Sequence, residues 1–559
     1  MSADDAGPGA SGDEVSGVGR AAVGRAAVLM ASGTAVSRVL GVVRGSFLVA
    51  AVGLNAAAAN AFAVANTLPN MLYMLVAGGV LNAVLVPQVV RAYRSDRGQE
   101  YVDRLLTLSI VLLAGITVVL TVAAPVVVRL AASGEDPEFI ALATVFAYWC
   151  LPQVFFYGLY TLLGQVLNAR GSFGPYMWAP VVNNLVSIAG FAVFIAIFGR
   201  FVVGGPLDDI AAWDAGRIAL LAGVSTLGIV AQALVLVIPL HRSGFRFRPR
   251  WDWRGTGLGT AGRVAGWTFG ALAVGQVGVL VVSQVATGAA QVSGYAPDVA
   301  GNYAYNQAFV IFMLPHSLVT VSLLTVLFTR LSAHAAAGDV RRLRADVSSG
   351  VRTIGVFTVF ATAVLAVLAL PLVRVVLPTT TAAEAGSLAP VIVALVSGLT
   401  ALGAWSMWQR VYYAYEDART LFWIQVAMAG VVAAGTWTGS TVLPVGWWVA
   451  GAGASIAASY TLGAVWGGLQ VRRRLGGTGA AAIGVLVRSG LAAGVSAAVG
   501  WPLSRLFGDP SRLGWPDAVL TCVVVGLAML AVYVGLLRVL RVRELTDLLA
   551  PVLRRLRRR

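Results

Sequence analysis

Long apolar segments recur along the whole 559-residue chain, and they restrict its possible folds more than any other feature. About 20 apolar residues are enough for one helix to cross the hydrocarbon layer of a membrane. Only 11% of the residues are charged, against roughly 25% in soluble domains, so a soluble fold could not bury this much apolar surface. The pattern predicts an all-α, polytopic membrane protein of about fourteen transmembrane helices, at 26–52, 58–90, 105–131, 139–168, 175–199, 216–240, 262–290, 303–332, 351–377, 387–413, 419–439, 445–471, 481–506 and 517–540.

The distribution of arginine supports this helix count. All 40 basic residues are arginine. If the N-terminus is cytoplasmic, 32 of them fall on the cytoplasmic side, six on the other side, and two, Arg38 and Arg44, within the first span. This is the positive-inside bias of membrane proteins, and one missed helix would reverse every later loop. The sequence therefore predicts a multi-pass protein of the inner membrane with both termini cytoplasmic. Its net charge of +16 is predicted to interact with anionic lipids rather than with nucleic acid.

An internal repeat relates the two halves of the chain. Leu68-Pro69 in the second span is matched by Leu314-Pro315 in the eighth, 246 residues later. The end of the fourth span, Gln165 to Arg170, is matched by Arg410 to Tyr415 at the end of the tenth, 245 residues later. Six helices separate the members of each pair, and an even number preserves orientation. The repeat predicts two parallel six-helix lobes around a central cavity, with two further helices at the C-terminus.

The predicted spans also divide the chain into regions. These are a disordered cytoplasmic tail at 1–25, an N-lobe at 26–241, a cytoplasmic linker at 242–261, a C-lobe at 262–472, two C-terminal helices at 473–541 and a basic cytoplasmic tail at 542–559. Two lobes that face each other across a cavity are typical of transporters that work by alternating access. A duplicated scaffold that transports nothing is the alternative.

Arg38 and Arg44 are the strongest functional signal, because a charge at mid-membrane costs at least about 2.5 kcal/mol and usually faces a cavity or a partner. The first span contains no acidic residue that could pair with either. One interpretation is that both cations await an anionic ligand. The other is that the helix starts late and both side chains reach back to the cytoplasmic surface. Gly41 and Gly45 form a small-xxx-small step beside them, which suits a hinge or close helix packing.

Amides and prolines are concentrated in the second and eighth spans. Asn60 and Asn70 flank Pro69, which frees a backbone carbonyl that must face protein or water. Pro315 holds the matching position in the eighth span, and His316 beside it is predicted to have a structural role. We expect the amides to line the cavity and the prolines to act as hinges. The sequence has no nucleotide-binding motif, metal cluster or catalytic triad, so we predict neither an enzyme nor a cofactor or metal site.

Four segments in order carry a family resemblance: Ser37-Arg-Val-Leu-Gly-Val-Val-Arg44, Asn60-Ala-Phe, Leu68-Pro-Asn-Met-Leu72 and Val86-Pro87. This combination resembles the MurJ/MviN family, the lipid II flippases of the MOP exporter superfamily. The sequence of residues 65–73 looks like that of actinobacterial members. The resemblance is dense over residues 32–94 and rests on topology elsewhere.

The resemblance implies a flippase that moves lipid II, an undecaprenyl-diphosphate-linked disaccharide peptide, from the cytoplasmic to the outer leaflet of the cell membrane. It implies that Ser37, Arg38 and Arg44 bind the head group in a cationic cavity, together with Asn60 and Asn70 of the second helix. Cell-wall synthesis proteins are further candidate partners. A flippase for another polyprenyl-linked glycan and a non-transporting scaffold of the cell-wall machinery remain alternatives.

This chain also departs from the better-studied Gram-negative members. Those carry Asp where this chain has Asn60 and Arg where it has Tyr73, so the predicted cavity holds fewer charges. A sodium site described for some members uses a carboxylate in the seventh helix, where this chain has Gln276 and Gln284 but no acid. A cation-coupled drug exporter would need acidic residues within the membrane, and none lies inside a predicted span of either lobe.

Overall fold

The computed structural model describes residues 12–76, 98–132, 136–251, 262–477, 480–542 and 544, and within these ranges the chain is helical, without strands. The first half contains α1 (Gly12–Val52), α2 (Ala57–Val76), α3 (Gly98–Val122), α4 (Ala124–Ala131), α5 (Pro137–Cys150), α6 (Gln153–Ala169), α7 (Gly174–Phe198), α8 (Ala215–Leu234) and α9 (Val237–Arg242). The second half contains α10 (Gly262–Val292), α11 (Asn302–Pro315), α12 (Val321–Ala336), α13 (Val340–Val367), α14 (Ala369–Val376), α15 (Ala382–Ser397), α16 (Leu399–Ala414), α17 (Ala418–Val442), α18 (Trp448–Leu475), α19 (Ala480–Arg505) and α20 (Trp515–Val539).

Most of the predicted membrane spans are present. Within the described residues, twelve helical segments are long and apolar enough to cross a membrane, and the pair α15–α16, which bends by 42°, is a thirteenth candidate. The predicted span 58–90 is described only as far as Val76, in α2, and its remainder lies outside the described residues. An all-helical membrane fold is therefore confirmed, whereas the count of fourteen is not.

Several helices begin earlier than the apolar pattern indicates. Helix α1 begins at Gly12 rather than 26, so residues 12–25 of the predicted disordered tail are helical, and residues 1–11 lie outside the described ranges. Helices α3 and α13 begin at Gly98 and Val340 rather than at 105 and 351. A hydropathy window detects only the apolar part of a helix, so it misses turns that carry charged residues beyond that part.

The repeat is visible in where the helices start and break. The starts of α2 and α11, and the starts of α5 and α15, are each 245 residues apart. The break between α3 and α4 at Ala123 recurs 245 residues later at Leu368, between α13 and α14. Pro125 and Pro371 follow these two breaks, and Pro is tolerated in a first turn because those N–H groups have no intrahelical partner. The two halves therefore share one plan, including their bends.

Helix packing follows the same repeat. In the N-lobe, which we define as α1–α9, α7 packs between α1 and α8. In the C-lobe, α10–α18, α17 packs between α10 and α18 in the same way. Helix α19 packs along α13, and α20 packs on α14 and α19. The two last helices are thus attached to the C-lobe.

The segment after α9 lies against the N-lobe. The Gln99 Nε2 donates to the Arg246 carbonyl at 3.1 Å, and the Arg250 backbone N–H donates to Thr107 Oγ1 at 3.0 Å. The Arg250 guanidinium pairs with Glu100 at 2.8 Å. Residues 252–261 of the predicted linker lie outside the described residues, as does the predicted basic tail except for Val542 and Glu544.

The helix ends define two opposite ends of the bundle. We call the end that carries Arg170, Arg242, Arg330 and Arg472–Arg474 the arginine-rich end, and the end that carries Arg200, Arg374 and Arg505 the arginine-poor end. Helix α1 ends at the arginine-poor end, where α2, α11 and α15 begin.

Candidate substrate cavity

Helix α1 is attached to the N-lobe through the face that carries Ser37 and Gly41. The Asn184 Nδ2 in α7 donates to the Ser37 carbonyl at 2.9 Å and approaches its hydroxyl at 3.4 Å. Gly41, one turn later, faces the same amide, because a Cβ at that position would stand 4.0 Å from Asn184 Nδ2. Ser37 therefore serves helix packing here, and Arg38, the next residue around the helix, is exposed.

Arg44 lies between the two lobes. Its side chain is half-buried, and its charge acts on the hydroxyls of Tyr157 in α6 and Tyr303 in α11. One of these tyrosines belongs to the N-lobe and the other to the C-lobe. Within the described residues, neither the Arg38 nor the Arg44 guanidinium has an ion-pair or hydrogen-bond partner. The two cations are thus available to an anion from outside the protein.

Asn60 holds the lobes together at the arginine-poor end. The side chain is fully buried, and its Nδ2 donates to the carbonyls of Asn55 and Ala56 at 3.0 Å each. Its Oδ1 accepts from the Tyr303 backbone N–H at 3.2 Å, at the start of α11. Asn60 was predicted to line the cavity and bind substrate, but in this structure it is enclosed by protein at the lobe interface.

Further cross-lobe contacts lie beside Asn60. A Cβ on Gly45 would stand 2.9 Å from Gln307 Oε1, so this glycine lets α1 approach α11 closely. The Asn306 Nδ2 contacts Thr67 Oγ1 at 3.4 Å. The Ser46 hydroxyl donates to the Val376 carbonyl at the end of α14. The arginine-poor half of the interface is therefore closed by polar and close-packed contacts.

A second contact at this end is aromatic. Phe139 in α5 stacks on Tyr295, which precedes α11, with ring centroids 6.3 Å apart. Burial raises the pKa of the Tyr295 hydroxyl, and the nearby Asp136 carboxylate raises it further. Asp136 caps α5 by accepting the Glu138 N–H at 3.0 Å. The contact thus joins the start of an N-lobe helix to a C-lobe loop.

Both α2 and α11 carry exposed side chains closer to the arginine-rich end. Along α2, Asn60 is fully buried, whereas Asn70 is exposed and Met74 is 48% exposed. Along α11, Tyr303 is buried and Val310 is 44% exposed. Both helices thus carry exposed positions between buried neighbours. Asn70 remains available to a ligand in this structure, unlike Asn60.

The two prolines that were predicted to be hinges differ. Helix α2 continues through Pro69. Pro315 ends α11, and a π-helical turn from His316 to Thr320 follows before α12. The His316 Nε2 lies 3.5 Å from Ser406 Oγ. A π turn widens the helix locally and often marks a functional site, so only the C-lobe member of the pair carries an irregular backbone here.

Three buried acidic residues were missed by the sequence pattern. Asp103, Asp346 and Glu384 are each less than a tenth exposed, and each lies within a lobe helix that starts before its predicted span. No acid lies inside a predicted span of either lobe, but the helices extend beyond these spans, so the lobe helices do contain acids. For Glu384 a signal existed, because Thr381-Ala-Ala-Glu384 has the Thr-x-x-Glu form of a helix capping box.

Comparison with known proteins adds to this geometry. A family model described as "Lipid II flippase MurJ" matches residues 49–509. A probable lipid II flippase MurJ of Synechocystis sp. is 26% identical over 408 residues, which cover 70% of this chain and 72% of that protein. The lipid II flippase MurJ of Burkholderia cenocepacia is 34% identical over 177 residues, 30% of this chain and 34% of that protein.

Solved structures share the fold. A lipid II flippase MurJ in an inward closed conformation superposes with a TM-score of 0.68 over 92% of this chain and 99% of that chain, at 16% identity. An inward-facing MATE family multidrug transporter of the MOP superfamily reaches a TM-score of 0.60 over 78% of this chain and 94% of that chain, also at 16% identity. Because the family model spans most of the sequence, from residue 49 to residue 509, this chain belongs to the lipid II flippase MurJ family.

Proposed function

We propose that the protein moves lipid II from the cytoplasmic to the outer leaflet of the cell membrane by alternating access, without chemical change. The observation that carries the proposal is that Arg38 and Arg44, on α1 of a chain of this family, have no ion-pair or hydrogen-bond partner among the described residues, and that Arg44 lies between the lobes. The polyprenyl tail stays in the lipid while the polar head group passes between the lobes. The family is one of transporters, and we propose no catalytic role for any residue.

The chemistry of the head group fits these cations. Arginine presents a planar set of donors that binds phosphate oxygens in pairs and keeps its charge in an apolar environment. A charge in the membrane is costly, and an anionic ligand offsets that cost. We propose that Arg38 and Arg44 bind the diphosphate, and that Asn70, which is exposed on α2, contributes hydrogen bonds.

The direction of transport follows from the positions of the arginines. We propose that the arginine-rich end is cytoplasmic, with both termini on that side, because positive loops favour the cytoplasm. The closed arginine-poor end then faces outward, and we propose that the head group reaches Arg38 and Arg44 from the cytoplasmic side. This arrangement supports a state that receives the head group before export.

The regions and partners remain part of the proposal. For the functional regions we propose the boundaries predicted from the sequence: an N-lobe at 26–241, a linker at 242–261, a C-lobe at 262–472, two helices at 473–541 and a tail at 542–559. The helices that form the two lobes extend past these boundaries, at Gly12, Arg242 and Leu475. Anionic membrane lipids are the proposed partners of the cytoplasmic arginines, because basic segments beside a membrane are attracted to anionic headgroups. Cell-wall synthesis proteins are the proposed protein partners.

The test is depletion of the native protein combined with an assay that resolves lipid II in each leaflet. We expect lipid II to accumulate on the cytoplasmic side and to be exported again when the wild-type protein is supplied. The double variant Arg38→Ala, Arg44→Ala should fail to restore export, since loss of each charged hydrogen bond is worth about 1.5–3 kcal/mol. Arg505→Ala is the matched control, because this exposed arginine lies over Trp501 on α19, away from α1.

Two outcomes would contradict the proposal. If the leaflet distribution of lipid II did not change on depletion, the protein would not be its flippase. If the double variant supported growth and export like the wild type, the scaffold alternative would be favoured over transport through this cavity. Comparing lipid II with another polyprenyl-diphosphate glycan in proteoliposomes would decide between the two flippase alternatives.

A further inference from the structure

A buried carboxylate joins the lobes at the arginine-poor end. The Glu384 Oε1 in the C-lobe accepts from the Leu54 backbone N–H in the N-lobe at 3.1 Å, across 330 residues of sequence. Glu384 is 4% exposed and Leu54 is fully buried. Leu54 lies in the short connection between α1 and α2, so this bond attaches the C-lobe to the turn between the first two helices of the N-lobe.

The second oxygen of the same carboxylate serves its own helix. Glu384 Oε2 accepts from the Thr381 backbone N–H at 2.8 Å and from its hydroxyl at 3.0 Å, and the Thr381 Oγ1 accepts from the Glu384 N–H at 3.2 Å. These bonds form a capping box at the start of α15. The N-terminal end of a helix favours a negative charge, which lets the carboxylate be buried there. The capping box lies within the C-lobe. Of the hydrogen bonds that Glu384 makes, only the one to Leu54 must therefore break when the lobes separate.

The neighbouring residue reinforces this contact. The Asn55 Nδ2 donates to the Pro297 carbonyl at 2.8 Å and to Ser387 Oγ at 3.1 Å. The Ser387 hydroxyl also donates to the Glu384 carbonyl at 2.9 Å, so it belongs to the same turn of α15. Leu54 and Asn55 are thus held by one turn of the C-lobe helix and by the loop before α11.

The repeat shows that this polar contact exists on one side only. The residue 245 positions before Glu384 is Phe139, which packs on Tyr295 through aromatic rings. The corresponding N-lobe helix start therefore meets the C-lobe without a carboxylate from that position. At these two equivalent positions the lobes are therefore joined by one aromatic contact and one charged hydrogen bond, and the hydrogen bond depends on the Glu384 side chain.

We propose that Glu384 is a positioning residue that holds the arginine-poor end closed and so sets the equilibrium between closed and open forms of that end. In the closed form the carboxylate satisfies the Leu54 N–H in a place where burial keeps other partners away. In the open form Glu384 keeps only its capping bonds, and Leu54 must find another acceptor. Losing a hydrogen bond to a charged group shifts such an equilibrium by about tenfold to hundredfold.

Distance measurements between spin labels test this proposal on the full chain in lipid nanodiscs. Val203 of the N-lobe and Val442 of the C-lobe are exposed at the arginine-poor end and would carry the labels after Val203→Cys and Val442→Cys. The free cysteines, buried Cys150 and half-buried Cys522, would first be changed to Ala. In Glu384→Ala we expect the ratio of long to short distances to rise by about tenfold or more.

Thr381→Ala separates the two roles of the carboxylate. This variant loses the hydroxyl of the capping box but leaves Oε1 able to accept from Leu54, so we expect little change in the distance ratio. Glu138→Ala, an exposed acid at the start of α5, is a second control that should leave the ratio unchanged. If Glu384→Ala does not fold, Glu384→Gln carries the test, because it retains the shape and one acceptor oxygen and should give a smaller shift in the same direction.

An unchanged distance distribution in the Glu384 variants, or an equal change in Thr381→Ala, would overturn the proposal. The measurement uses no substrate, so it stands apart from the proposed flippase function. If the distances shift as expected while lipid II export proves absent, the proposed function fails and the role of Glu384 stands. If export is present and the distances do not shift, the reverse holds.

Discussion

Gly301 shows how a single missing side chain determines a contact between the lobes. It is the N-cap of α11, and a Cβ there would stand 2.3 Å from Asn60 Oδ1. In Gly301→Ala the Asn60 amide must move, which weakens its bond to the Tyr303 N–H. We expect a loss of about 1–3 kcal/mol of stability, the usual range for overpacking.

Thermal unfolding in detergent would measure the effect of Gly301→Ala, and Gly514→Ala is its matched control. Gly514 is also a helix N-cap, but its nearest neighbour to a new Cβ is Asp517 Oδ2 at 3.5 Å, an ordinary contact. The cost of losing glycine from an N-cap is therefore common to both variants. Equal unfolding midpoints for the two would show that Asn60 does not confine Gly301.

At the scale of single residues, the sequence indicated which side chains are unusual better than it indicated what surrounds them. Arg38 and Arg44 stand out within the first apolar span, because a charge inside the membrane is unfavourable unless it faces a cavity or a partner. The burial of Asn60 could not be predicted, since an amide looks the same whether it lines a cavity or closes an interface. Glu384 was missed because a first-turn acid lies outside the apolar window, although its capping pattern was present.

At the lobe interface, α11 ends in a turn whose backbone departs from regular α-helical geometry. Pro315 has no N–H to give and is followed by the π turn from His316 to Thr320. In Pro315→Ala we expect the α-helical ladder to extend into this turn, so amide hydrogen exchange at 316–320 should slow. Pro69→Ala is the control, because α2 already continues through Pro69 and exchange at 316–320 should not change. Unchanged exchange in both variants would mean that Pro315 does not cause the π turn.

The apolar parts of the helices were predicted from the sequence, whereas their bends and their charged first turns were not. Apolar runs gave nearly all the spans, and the repeat offset of about 245 residues relates helix starts as well as motifs. The breaks at Ala123 and Leu368 were not predicted, because hydropathy does not change where a helix bends. The predicted starts of α3 and α13 were too late, because charged residues continue these helices beyond their apolar part, to Gly98 and Val340.

For the whole molecule, the lobes and the proposed cargo have opposite charge, and this links transport to the membrane potential. A head group that carries negative charge outward across an inside-negative membrane gains about 2.3 kcal/mol per charge per 100 mV. Once the cargo has left, the field draws Arg38 and Arg44 back toward the negative interior, which favours return of the empty cavity. The potential would then assist export to the extent that the negative charge of the head group exceeds the two positive charges of Arg38 and Arg44, and it would assist the return of the empty cavity.

Proteoliposomes with an imposed potassium diffusion potential would measure this effect. We expect outward movement of lipid II to be faster when the interior is negative and slower when it is positive. An ionophore that removes the potential provides the control in the same vesicles. If potentials of either sign left the rate unchanged, net charge would not cross the field during the slow step, and the driving force would have to come from another gradient.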